Sequence, residues 1–79
     1  MARQKQYRDN ELVAKLGSKI REIRLSKGLS QEQLANLCDL ELSQINRIEL
    51  GKINTSVSHL FLIAAKLEVD VMVLVKLKQ

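Results

Sequence analysis

The sequence predicts an all-α fold, a compact domain of five helices. Three observations carry this. Apolar residues recur at three- and four-residue intervals in successive stretches, the period of a helix that buries one face. Proline is absent, and of the three glycines in 79 residues, Gly28 and Gly51 each follow one of those stretches, where a helix ends on a left-handed residue. Ser30 and Gln33 have the identity and spacing of a capping box.

Residues 1–9 show no apolar periodicity and carry Arg3, Lys5 and Arg8. They predict a flexible basic tail outside the core, either a solvated terminus or an arm that follows a phosphate backbone or enters a minor groove. From Asn10 or Glu11 onward, Leu12, Val13, Leu16, Ile20 and Ile23 trace the buried face of a first helix, which Gly28 ends. Gly17 costs that helix about 1 kcal/mol relative to alanine, so it marks a close approach of another helix.

Ser30 caps a second helix, QEQLANLC. Leu29 and Leu34 stand at the two positions of a hydrophobic staple, and Leu34, Ala35 and Cys38 face inward. Asp39, a residue that tolerates positive φ, is the expected turn. A third helix, LSQINRIEL, places Ile45 and Ile48 inward and ends at Gly51. Ser56 caps a fourth, in which Val57, Leu60, Phe61, Ile63, Ala64 and Leu67 cover more than one face, so this helix is expected to be mostly buried. In the final stretch, VDVMVLVKLKQ, Val71, Val73 and Val75 alternate as in a strand, whereas Val71, Leu74 and Val75 make a helical stripe. The chain offers no partner strand to complete a ladder, which favours a short fifth helix.

Composition narrows the function. At this length one core leaves nothing over for a second domain, so the expected organisation is the tail followed by a single domain over 10–79. A lone Cys38 excludes a disulfide framework and multi-thiolate metal sites, and fits a reducing cytoplasm. The longest apolar run, Val71 to Val75, is far short of a membrane span, and MARQKQYRDN has no signal-peptide stretch. Two aromatics, Tyr7 and Phe61, are too few for a base-stacking platform. His59 is the one histidine and has no evident acid or nucleophile partner, so it reads as an exposed residue in a polar first turn; Cys38 reads as a small buried hydrophobe. No cofactor and no catalysis are expected. The net charge is +4, and residues 1–28 hold eight basic and three acidic groups against five and six in the remainder. One end of the domain is built to meet an anion.

The span from Gln31 to Ile48 comprises a two-turn helix, a tight turn at its ninth position and a second helix of similar length. This is the spacing of a helix-turn-helix, whose second helix enters the DNA major groove. The run KIREIRLSKGLSQEQLANLCDLELSQINRIELGK, continuing through NTSVSHLFLIAAKLEVDV, resembles the phage-repressor-like, Xre-type helix-turn-helix family over about residues 12–75. Within it the chain is similar to small restriction-modification controller proteins. Three positions depart from the family pattern: Asp39 replaces a turn glycine, Glu41 replaces a capping Ser or Thr, and Leu50 replaces a polar residue. The resemblance implies a lambda-repressor-like domain with the helix-turn-helix at helices 2 and 3, a phosphate contact from Gln31, a helix crossing at Ala35, and a partly buried structural ion pair between Arg24 and Glu49.

By position on the third helix, Leu42, Ser43, Gln44, Asn46 and Arg47 are the base-reading candidates. Arginine can bond two acceptors of guanine, asparagine and glutamine can bond adenine, and leucine can touch a thymine methyl. Arg47 leads, with a phosphate contact as its alternative role. Not all five can face the groove floor at about 100° per residue. Gln31, at a positive helix end, and Lys52 are the phosphate-binding candidates; Lys15 and Lys19 belong to the solvated surface of the first helix. One recognition helix reads few base pairs, so a homodimer on a palindromic operator in double-stranded DNA is expected. Leu62, Met72, Val73 and Leu77 would form its apolar surface. The leading reading is therefore a homodimeric transcriptional regulator. An antitoxin or adaptor that binds an unidentified protein and autoregulates is the alternative, and RNA binding through the basic N-terminal region is a third.

Overall fold

The computed structural model describes residues 9–77. They form five helices in the predicted order: α1 (Asn10–Ser26), α2 (Gln31–Cys38), α3 (Leu42–Glu49), α4 (Val57–Lys66) and α5 (Val71–Val75). There is no strand among the described residues. The expected tail lies outside them except for Asp9. That residue caps α1, its Oδ1 accepting the Leu12 N–H at 3.1 Å.

Each boundary has a local chemical cause. Gly28, at φ 72°, follows α1, and its N–H donates to the Leu25 carbonyl. The capping box is complete: the Gln33 N–H donates to Ser30 Oγ at 3.0 Å and the Ser30 N–H to Gln33 Oε1 at 2.8 Å. Asp39 takes the left-handed conformation, φ 55° and ψ 41°, and ends α2. Ser56 Oγ accepts the His59 N–H to start α4, and Asp70 starts α5 by accepting from the Met72 N–H at 2.8 Å. The left-handed residue after α4 is Glu68, φ 60°, a stop with no glycine to announce it.

The centre of the core takes at least one fully buried side chain from every helix or its cap: Ile20, Leu34, Ile45, Ile63, Leu67 and Leu74. Burying each contributes about 1.5–3 kcal/mol. Ala35 and Ala64 are also buried, and Leu29 of the staple packs against this cluster. α3 packs on α1 and α2, while α5 bridges α4 and α1. The pattern of exposure corrects four expectations. Leu12, expected on the buried face of α1, is 40% exposed. α4 packs on α2 and α5, and these contacts leave part of it uncovered: Val57 is 70% and Phe61 56% exposed instead of buried. The last stretch is a helix, but it ends at Val75, which is exposed and not inward. His59 is half-buried, not exposed.

The joint between α1 and α3 is made by main chain. A Cβ at Gly17 would collide with the carbonyl oxygens of Ile48 and Glu49. Gly51 needs its hydrogen twice over: its φ is 71°, and a Cβ there would stand 2.8 Å from the Ala14 Cα. The close approach predicted at Gly17 is therefore that of the last turn of α3.

Candidate nucleic-acid interface

α3 is seated by its buried face and presents its other faces outward. Ile45, Ile48 and Glu49 are buried; Leu42, Ser43, Asn46 and Arg47 are exposed; Gln44 is half-buried. Ser43 and Arg47, one turn apart, project most directly away from the buried face. Leu42 and Asn46 lie on one flank, and Gln44 lies on the other. Four of the five expected base-reading residues are thus brought to one open surface. Gln44 is diverted: its Oε1 accepts the Glu41 N–H at 3.1 Å, supporting the start of α3 where Glu41 stands in place of a Ser or Thr. Its amide nitrogen and one lone pair of Oε1 remain for another partner.

Behind α3, Arg24 and Glu49 form a bidentate ion pair, Nε to Oε2 at 2.7 Å and Nη2 to Oε1 at 3.0 Å. Their side chains are 6% and 1% exposed. Nη1 of Arg24 donates to the Leu29 carbonyl at 2.7 Å, so the same guanidinium ties α1 to the loop before α2 and to α3. Burial makes this pair costly to break from one side, because the remaining charge has neither water nor a counter-ion.

Gln31 stands elsewhere than expected from a simple phosphate contact. Its Nε2 donates to Glu49 Oε1 at 3.0 Å, and its Oε1 accepts from Asn46 Nδ2 at 3.3 Å. The side chain thus spans from the ion pair to the surface of α3. Sequence reasoning missed this bridge because its partners lie 18 and 15 residues away. The main chain still suits an anion. Ser30 takes the N–H groups of Gln33 and Leu34, which leaves those of Gln31 and Glu32 at the open, positive end of α2. Lys52 is exposed just beyond α3, its N–H bonded to the Arg47 carbonyl at 2.9 Å. Lys15 and Lys19 pair with Glu11 and Glu22, at 3.1 and 3.6 Å; both lysines are half-buried along a groove that α1 shares with Lys76 and Leu77, and both pairs are local to that helix.

The four residues expected at an apolar dimer surface divide. Met72 and Val73 are exposed. Leu62 is partly buried against the core, and Leu77 is half-buried in a groove of about 780 Å³ along α1, beside Ala14, Ser18 and Lys76. Val57 and Phe61, one turn apart on α4, take up the exposed apolar role that sequence analysis gave to Leu62. Cys38 is buried, and burial raises its thiol pKa above the ordinary 9.0 while Lys66 lowers it by less; the thiol is a packing group. Among the described residues no three His, Cys, Asp or Glu side chains are grouped to hold a metal ion. No helix there is long and apolar enough to cross a membrane.

Comparison with known proteins agrees with this geometry. The helix-turn-helix family model HTH_3 matches residues 20–74. The control protein C.BamHI of Bacillus amyloliquefaciens is 43% identical over 62 residues, spanning 77% of this chain and 76% of that protein. The crystal structure of the restriction-modification controller protein C.AhdI from Aeromonas hydrophila superposes with a TM-score of 0.77 at 37% identity, over 78% of this chain and 94% of that one. The controller C.Esp1396I, solved as a tetramer in complex with its natural 35 base-pair operator, gives 0.74 at 38% identity over 80% and 83%. The chain spans about half the length of two uncharacterized transcriptional regulators from Rickettsia, each 38% identical over 65 residues. The chain belongs to the HTH_3 helix-turn-helix family, the phage-repressor-like group of DNA-binding domains that its motif predicts, and within it resembles the small restriction-modification controllers.

Proposed function

We propose that this protein is a transcriptional regulator of the restriction-modification controller type, which binds a palindromic operator in double-stranded DNA as a homodimer. The observation that carries the reading is the presentation of α3. Main chain at Gly17 and the Arg24–Glu49 pair seat it from behind, and Leu42, Ser43, Asn46 and Arg47 stand outward on a helix that a major groove can admit. Arg47 reads guanine. The open end of α2 at Gln31 and the ammonium of Lys52 hold phosphates on either side. The operator complex of C.Esp1396I supports the same partner for this chain.

A second copy completes the reader. Met72 and Val73 on α5, with Val57 and Phe61 on α4, are large apolar side chains 42–70% exposed on two helices that pack together. Two-fold pairing over these residues would present two copies of α3, and helix-turn-helix dimers read half-sites about one helical turn of DNA apart. The deciding measurement is a gel shift on the DNA upstream of the gene at two salt concentrations. Binding that resists competitor DNA and weakens with salt is the expected result. Equal affinity for unrelated duplexes would refute the reading, and sedimentation as a monomer at micromolar concentration would refute the dimer.

A further inference from the structure

α3 begins without the side chain that ordinarily starts such a helix. The N–H groups of Gln44 and Ile45 both donate to the Glu41 carbonyl, at 3.0 and 3.3 Å. The Glu41 N–H donates to Gln44 Oε1 at 3.1 Å, and no side-chain hydrogen bond from Glu41 caps the helix. Main chain and Gln44 thus take over from the absent Ser or Thr, and the Glu41 carboxylate is left over. None of the ion pairs among the described residues includes it. Glu41, Leu42 and Ser43 are exposed in succession at this end of α3. Glu41 itself is extended, φ −71° and ψ 144°, so it stands off the helical path, and side chains lean toward the N-terminus of a helix. In helix-turn-helix docking that is the end that meets base edges.

We propose that Glu41 is a specificity-determining residue that accepts a hydrogen bond from cytosine N4 in the major groove. The proposal rests on the regulator reading above and adds a residue to its base-reading set. An ionised carboxylate can only accept, and among phosphates it meets repulsion everywhere except at a donor. The major-groove edges offer two donors, the amino groups of cytosine and adenine. Guanine O6 and N7 and thymine O4 carry lone pairs and repel it. The amino group of adenine stands beside N7, whose lone pair opposes the second carboxylate oxygen, whereas that of cytosine stands beside a C–H. Cytosine is therefore the base that suits this side chain, and the other three are rejected by charge instead of by shape.

The test is selection of binding sites from a randomised duplex pool by the full chain and by Glu41→Ala, Glu41→Gln and Arg47→Ala, with thermal melts to establish that each is folded. The wild type is expected to prefer cytosine at a half-site position whose preference survives Arg47→Ala. Glu41→Ala should lower the cytosine preference there by about tenfold, the worth of one hydrogen bond to a charged group. Glu41→Gln should flatten it, because an amide can turn to meet either donors or acceptors. A duplex carrying 2-pyrimidinone at that position, which lacks the amino group, should bind the wild type about tenfold more weakly than the cytosine duplex and make no difference to Glu41→Ala. A carboxylate that only repels phosphates would, when removed, tighten binding to all sequences alike and leave the base ratios unchanged. One that only steadies the positive end of α3 would change the melt alone. Either result would overturn the proposal while leaving the regulator intact, and absence of any sequence preference in the wild type would overturn both.

Discussion

The half of the molecule built from α1, α2 and α3 and the half built from α4 and α5 are held by different physics. In the first, a few directional contacts decide the structure: a bidentate ion pair, a Gln31 bridge, a completed capping box and two glycines against neighbouring backbone. In the second, no side-chain ion pair is found among the described residues. The packing there comes from aliphatic burial around Ile63, Leu67 and Leu74, and large apolar side chains are left in the open. Directional contacts fix one arrangement of atoms and suit a surface that must match base edges. Area alone is tolerant of detail and suits association with a second copy.

The comparison breaks most visibly at Glu49. Glu49→Ala leaves Arg24 buried without its counter-charge and should cost about 3–5 kcal/mol, lowering the thermal midpoint by more than roughly 10 °C for a domain of this size. A melt within a few degrees of wild type would show that the pair does not hold the first half together. Gly17→Ala gains helix propensity of about 1 kcal/mol but drives a methyl into the carbonyls of Ile48 and Glu49, and overpacking of this kind costs about 1–3 kcal/mol. A net loss in a chemical denaturation curve is expected; a net gain would mean the joint between α1 and α3 is soft. At the surface of the same half, Arg47→Ala should remove about 1–3 kcal/mol of discrimination at one base pair, whereas Lys52→Ala weakens all sequences alike and reduces the salt slope by about one. The second half should behave in the opposite manner. Phe61→Asp and Met72→Asp lie on exposed positions, so each should change thermal stability of the dilute protein by no more than about 0.5 kcal/mol while shifting sedimentation toward the monomer. The smallest effect is expected from Cys38. Burial raises its thiol pKa, so its contribution to stability is full below the unfolded value near 9.0 and is lost as pH rises through the folded value. Below that range, its alkylation rate in the native protein should track unfolding.

How far the sequence could be read follows the same division. Ser30 with Gln33, Asp39, Gly28 and Gly51 act through bonds and φ angles within three or four residues, so the helix-turn-helix and its boundaries were legible. Periodicity alone could not tell which face of α4 would find a neighbour, and Phe61 was assigned inward because apolar residues surround its helix. The stretch around α5 satisfied two periods at once, and only the absence of a strand partner decided it. Within the candidate interface, position on α3 identified the outward residues. The role of Gln31 stayed hidden because a glutamine at the start of a helix looks the same whether it meets a phosphate or a carboxylate 18 residues away. Glu68 held a left-handed conformation with no sequence sign at all.

The contact at Gly17 has a consequence for how such a domain can change. The last turn of α3 rests on α1 through its own carbonyl oxygens, and its outward side chains take no part in that contact. Substitution at Ser43 or Arg47 therefore leaves the seat of the helix untouched. On the proposed reading, operator preference can drift, or be rewritten by grafting another set of outer residues, as long as position 17 stays without a side chain. The glycine that costs the first helix some stability is what makes the third one interchangeable.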